Sequence, residues 1–168
     1  LERMIYSISG NDDVKTKKLM NQLKEKGLYK IDTDMKQRLV DFVGKYATED
    51  QTSETIKKVY EKSEYLIDTH TAVAAYANYD YIKETGDDKP SLIVSTASPY
   101  KFTRSVMTSL NPEYDKMSDF ELVDEMKVVS DTDIPQAIEE IRTAKVLHSR
   151  VCEKTEMEKV VKEILNIK

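Results

Sequence analysis

Glycine is what this sequence most lacks. At an average usage of about 7% a chain of this length would hold roughly 12, whereas its 168 residues hold four: Gly10, Gly27, Gly44 and Gly86. Spread this widely, they cannot build a loop that presents a row of backbone N–H groups to a phosphate, as P-loops and dinucleotide-binding turns do. Any phosphorylated ligand would have to be held by something outside this chain. Between the glycines the apolar residues recur every three or four positions, the period of a helix, and each glycine falls where a segment would end. A mostly helical fold follows.

Composition narrows the function classes. Hydrophobic residues make up 39% and charged residues 34% of the chain, and mean hydropathy is -0.58, the balance of a water-soluble globular domain. No apolar run approaches the roughly 20 residues of a membrane span, and no apolar stretch follows a basic start. Twenty-six basic against 31 acidic residues leave a net charge of -5, which lacks the footprint of a nucleic-acid binder. The lone Cys152 excludes an internal disulfide and a cysteine-built zinc site, and suits a reducing cytoplasm. Leu1, Met4, Ile5 and Ile8 form a helical stripe with no initiating Met and no capping residue before it, so the chain reads as cut from a longer one.

The first 62 residues read as a helical hairpin array. A first helix stops at Gly10, and Asn11 or Asp12 caps a second that turns Val14, Leu19, Met20 and Leu23 inward before Gly27. A third starts near Thr33 with Met35, Leu39, Phe42 and Val43 on one face. Thr48 and Gln51 have capping-box spacing ahead of Ile56, Val59 and Tyr60. Then the character changes. Tyr65-Leu66-Ile67 is a short strand-like run, residues 72–77 form a small-residue helix, and Ser91-Leu92-Ile93-Val94-Ser95 is apolar on both faces, as buried parallel strands are. Together they make one right-handed βαβ unit whose functional loops follow Ile67 and Val94. Beyond it, a helix from Tyr100 carries Phe102, Val106, Met107 and Leu110 to the stop at Asn111-Pro112. Ser118 to Glu121 and Thr155 to Glu158 are two further capping boxes, opening helices that bury Leu122, Val123 and Met126, then Val160, Val161, Ile164 and Leu165.

Two loops carry candidate chemistry. Ser95-Thr96-Ala97-Ser98-Pro99 follows the second strand, where ligands bind in open α/β sheets, although on position alone a hydroxyl-rich turn that caps the helix is the simpler account. Asp68-Thr69-His70-Thr71 gathers a carboxylate, an imidazole and two hydroxyls, again at a position where a cap is the simpler account. His148 has no second histidine at ligand spacing, so no metal site is expected. Cys152, four residues after it, reads as a structural thiol. The Asp119, Glu121, Asp124 and Glu125 cluster reads as the solvated start of a helix.

Those same loops resemble a known family. Tyr65-Leu66-Ile67-Asp68-Thr69-His70-Thr71-Ala72-Val73-Ala74 resembles the L-I-D-P-H-T-A-V segment of threonine synthases. Leu92-Ile93-Val94-Ser95-Thr96-Ala97-Ser98-Pro99-Tyr100-Lys101-Phe102 is similar to their S-T-A-[HS]-P-x-K-F segment. Leu1-Glu2-Arg3-Met4-Ile5-Tyr6 resembles an N-[LF]-E-R-[ML] helix start, and Glu156-Met157-Glu158-Lys159-Val160-Val161 a closing helix. The landmarks stand in family order along essentially the whole chain. Thr69 replaces the family's proline, and Ser98 stands where histidine is frequent.

The resemblance implies the carboxyl-terminal segment of a pyridoxal-phosphate enzyme of fold type II, the tryptophan-synthase-β-like class. The expected fold class is thus α/β and helix-rich, with strands at about 65–67 and 91–96, a third candidate at 146–151, and seven or eight helices. Residues 1–62 supply the hairpin array and 63–168 the βαβ unit and closing helices, with the amino-terminal catalytic part outside the chain. The implied reaction converts O-phospho-L-homoserine and water to L-threonine and phosphate. Thr96 is then the cofactor contact, its hydroxyl hydrogen-bonding the pyridine nitrogen, with Ser95, Asp68 and His70 lining the pocket and no metal involved. Nothing here matches the family's cofactor-bearing lysine or its glycine/asparagine phosphate loop, so the chain alone is expected to be inactive and to bind the cofactor weakly or not at all. No nucleic acid or membrane partner is implied. Self-association through apolar surface near Leu1 or the 92–94 edge is expected, in a cytoplasmic protein. Two alternatives stand beside this reading. One is a non-enzymatic helical module complementing a separate amino-terminal part. The other is a different enzyme of the same cofactor class, such as a threonine dehydratase, which the two loop segments argue against.

Overall fold

Asp12 and Asp32 each stand just ahead of an apolar periodic stretch, and each starts a helix by accepting a backbone N–H that the first turn cannot satisfy itself. In a computed structural model, which describes residues 1–167, the Asp12 carboxylate takes the N–H of Lys15 at 2.8 Å and Asp32 that of Met35 at 3.0 Å. Among the described residues there are nine α-helices: α1 (Glu2–Ile8), α2 (Asp13–Lys26), α3 (Thr33–Gln37), α4 (Glu49–Ser63), α5 (Thr69–Thr85), α6 (Thr103–Leu110), α7 (Asp119–Ser130), α8 (Gln136–Arg142) and α9 (Met157–Leu165). Short 3-10 turns at Pro99–Phe102, Pro112–Lys116 and Lys154–Glu156 join some of them.

The contacts group these helices into two units. One comprises Leu1–Thr48 and Tyr76–Ser91, with a core of Ile5, Ile8, Leu19 and Met35 flanked by Met20, Tyr29, Ile31 and Leu39. Gly10 is favoured here by its backbone conformation, and a larger residue would also displace a neighbouring side chain. Its φ of +85° suits glycine, and an added Cβ would lie 2.8 Å from the Arg38 guanidinium, which donates to the Ile8 carbonyl at 3.2 Å. Lys45 is largely covered and bridges Asp80 and Glu84 on the second half of α5 at 2.8 and 2.5 Å. The third helix is shorter than its apolar pattern suggests: α3 ends at Gln37, and Phe42 and Val43 are exposed. Only Met35, at 1% exposure, finds a full set of neighbours from that stripe.

The other unit comprises Glu49–Ala75 and Leu92–Lys168. α6 packs against both α4 and α7, and between them Ile56, Ala72, Val106, Met107, Leu122 and Met126 are essentially without solvent contact. Polar latches hold the layers. Tyr60 donates to the Val129 carbonyl at 3.1 Å and Tyr100 to that of Thr132 at 2.9 Å. Arg104 reaches Asp119 and the carbonyls of Asp115 and Met117 ahead of α7. The Glu121 carboxylate accepts both the N–H and the hydroxyl of Ser118, at 2.8 and 2.7 Å, so that capping box forms. The box at Thr155 does not: α9 starts at Met157 with Glu156 in the cap position, because a 3-10 turn takes up Lys154–Glu156 first.

The helix-rich character is as expected, but the strands are not. Among the described residues no β-strand forms. Leu66 and Ile67 are buried without regular secondary structure, while residues 91–96 are irregular with Leu92 and Val94 facing solvent. A strand exists only through a ladder to a neighbour, and neither segment has a partner here. Residues 146–151 are likewise irregular and exposed. The βαβ unit therefore reduces to α5 between two segments without regular secondary structure.

Leu122→Ala, at a fully buried site, is expected to lower unfolding free energy by about 2–5 kcal/mol, against less than about 0.5 kcal/mol for the exposed Ile164→Ala, both read from urea denaturation. Asp124 is held below the ordinary carboxylate range, chiefly by its hydrogen bonds from Arg142 at 2.7 and 2.9 Å. A depressed carboxylate contributes stability that is present above its unfolded pKa and is lost as pH falls through its folded pKa. Arg142→Met should therefore raise the Asp124 titration midpoint, followed by carboxyl chemical shifts, and remove the corresponding acid-side loss of stability.

Candidate functional site

Asp68 is an aspartate with no solvent exposure at all. A buried carboxylate must be met by donors, and the start of α5 supplies them. Its Oδ1 accepts the N–H of His70 at 2.8 Å and that of Thr71 at 3.3 Å, while its own carbonyl accepts the N–H of Ala72 at 2.9 Å. Asp68 is thus the N-cap of α5. Its other oxygen, Oδ2, takes the hydroxyl proton of Thr71.

From there the network leaves the helix. Thr71 Oγ1 and Ser95 Oγ lie 2.9 Å apart. Thr71 has a single hydroxyl proton, and an ionised carboxylate can only accept. That proton is therefore committed to Asp68, and Ser95 donates its own to Thr71. The result is a directed chain from Ser95 through Thr71 to Asp68. Thr96 follows Ser95 in the exposed part of the loop, and its hydroxyl has no hydrogen-bond partner among the described residues. Ser98 caps the next turn through the N–H of Tyr100 at 3.3 Å.

His70 sits at the rim. Its side chain is 64% exposed with Nδ1 at 3.5 Å from Asp68 Oδ1, too long for a firm hydrogen bond. Its ring lies 4.9 Å from that of Phe102, tilted by 44°, and Lys101 Nζ stands 5.7 Å above the same Phe102 ring. The structure thus joins Asp68 to Ser95 and leaves His70 beside Phe102. Thr71 entered the sequence reading only as one of the loop's two hydroxyls and Phe102 only as an apolar helix residue, neither as a pocket residue. The three-residue spacing from Asp68 to Thr71, which puts a second hydroxyl at the third helical position, was the available signal. Among the described residues no three His, Cys, Asp or Glu side chains gather as a metal site would require.

Comparison with known proteins identifies the family. The family model "Threonine synthase, C-terminal" matches residues 71–164. Threonine synthase of Saccharomyces cerevisiae is 33% identical over 114 residues, covering 62% of this chain and 22% of that protein. Threonine synthase-like 2 of Xenopus laevis is 22% identical over 167 residues, covering 98% of this chain and 31% of that protein. Among solved structures, a PLP-bound threonine synthase from Brucella melitensis superposes with a TM-score of 0.53 at 28% identity, covering 64% of this chain and 23% of that one. The chain belongs to the threonine synthase family, and it spans only about a fifth to a third of the length of these relatives.

The cap is open to a direct test. Asp68→Ala removes the acceptor for two backbone N–H groups and a buried hydroxyl, and should destabilise the chain by about 2 kcal/mol, the upper end for a lost N-cap. Asp68→Asn keeps one carbonyl acceptor and should cost clearly less, both measured by thermal unfolding.

Proposed function

We propose that this chain forms one wall of a pyridoxal-phosphate site, the wall facing the ring nitrogen, in a polypeptide that converts O-phospho-L-homoserine and water to L-threonine and phosphate. The observation that carries the reading is the free, exposed hydroxyl of Thr96 in a chain of the threonine synthase family.

The residues present fit one end of that cofactor. A pyridine nitrogen needs a donor, and the Thr96 hydroxyl supplies one. The nearest acid along the loop network, Asp68, is buried and committed to its own donors, so no carboxylate is offered to protonate the ring. The phosphate end is not served by α5, because the Asp68 carboxylate already occupies its first N–H groups and would repel an anion. Bound pyridoxal phosphate supplies an electron sink for carbanions next to the amino-acid nitrogen. The chain's own part is narrower. Thr96 orients the ring and moderates that sink, since a neutral hydroxyl holds the nitrogen without forcing a full charge on it. Ser95 holds the loop, Asp68 fixes the network behind it, and His70 with Phe102 borders the opening.

In this reading residues 1–168 are the carboxyl-terminal segment, and the lysine that carries the cofactor comes from an amino-terminal part. The chain alone is then inactive. A cytoplasmic setting accords with the single free thiol of Cys152, and no helix among the described residues is long and apolar enough to cross a membrane. The exposure of Leu1, Leu92 and Val94 accords with self-association of the isolated chain.

The test joins this chain to the amino-terminal part of a threonine synthase and measures phosphate release from O-phospho-L-homoserine. Turnover is expected from the joined protein and none from the chain alone. Thr96→Val should lower kcat about tenfold, the equivalent of one lost hydrogen bond of about 1.4 kcal/mol, with circular dichroism unchanged. Undiminished turnover in Thr96→Val would remove this residue from the mechanism.

A further inference from the structure

Residues 92–97 present a problem of restraint. They carry the Thr96 hydroxyl, yet they belong to no helix or ladder, and none of their backbone groups is hydrogen-bonded to backbone among the described residues. Leu92 and Val94 are exposed at 90% and 66%, so apolar packing holds the segment only at Ile93 and Ala97, both half-buried. Among the described residues one polar contact ties the six residues to the rest of the chain: Ser95 Oγ to Thr71 Oγ1 at 2.9 Å.

We propose that Thr71 is a positioning residue, whose hydroxyl acts as the fixed anchor that holds Ser95, and through it Thr96, in place. The deduction is stereochemical. Thr71 is 6% exposed and stands in the first turn of α5, so its backbone is set by the helix. Its hydroxyl proton points at Asp68, a carboxylate with no exposure, which is itself pinned by two backbone N–H groups. With proton and rotamer both committed, the remaining lone pairs of Thr71 face a fixed direction and accept from Ser95. A hydroxyl free to rotate could not serve this way. Thr96, the next residue, is attached one peptide unit from the anchor, about 3.8 Å Cα to Cα. The role of Thr96 toward the pyridine ring rests on the reading above, but the anchoring of the loop does not.

The experiment uses 15N relaxation on the full chain. In the unmodified protein the amides of Ser95 and Thr96 should show order parameters near 0.85, and in Thr71→Val, which keeps the shape and removes the hydroxyl, they should fall to about 0.6 or below. Thr71→Ser, which keeps the hydroxyl, should restore them. Because Thr71→Val also deprives buried Asp68 of a donor and could unfold the chain, Ser95→Ala cuts the same contact from its exposed end and should loosen the loop alike. The proposal is overturned if residues 92–97 are already mobile in the unmodified protein, if Ser95→Ala leaves them rigid, or if Thr71→Ser fails to rescue. In the joined protein, Thr71→Val should lower kcat as Thr96→Val does, with rescue by Thr71→Ser. If Thr96→Val leaves turnover intact while Thr71→Val still loosens the loop, the anchor stands and the cofactor reading fails. If Thr96→Val lowers turnover while the loop stays rigid in Thr71→Val and Ser95→Ala, the reading stands and the anchor fails.

Discussion

A carboxylate removed from water obliges its surroundings to donate to it, and the region around α5 is arranged by that obligation. Asp68 collects two amides and one hydroxyl within a single turn, which defines where α5 begins and orients Thr71. Leu66 and Ile67, immediately before it, enter the core of the same unit. Their burial delivers the aspartate to a place without solvent, and the helix start makes that place tolerable. Hydrophobic packing and polar satisfaction thus meet at adjacent residues, and neither arrangement stands without the other.

Local signals were legible wherever the local chain alone decides the outcome. Asp12 and Asp32 cap helices, Ser118 and Glu121 form a capping box, and the positive φ of Gly27 closes α2. Each depends on groups within a few residues. The buried faces of α1, α4, α6 and α7 also followed from three-and-four spacing, since Ile5, Ile56, Val106 and Leu122 are all in the core. The same spacing misled at Phe42 and Val43, where a five-residue helix ends before the stripe can be used.

What the sequence could not reveal is whether an apolar extended run has a neighbour to pair with. Residues 91–95 have the composition of a buried strand, yet composition describes a preference for a pleated, packed surface and does not create the partner. The candidate site divides along the same line. Asp68, Ser95 and Thr96 were marked by residue type and loop position. Thr71 was counted only as one of the loop's hydroxyls because its importance lies in a hydrogen bond across 24 residues of sequence, and the pairing of hydroxyl protons is a property of three dimensions.

The tyrosine latches on α7 carry a further consequence. The last carbonyls of a helix normally turn to water, and helices unravel from such ends. Here Tyr60 occupies the carbonyl of Val129 in the last turn and Tyr100 that of Thr132 just beyond the helix, while Asp131, in the left-handed conformation, ends the helix between them. The end of α7 is therefore clasped by side chains from outside the helix itself. Fraying there requires α4 and the Pro99–Phe102 turn to let go as well, so this helix end is protected from amide exchange and proteolytic nicking for as long as its neighbours remain in place.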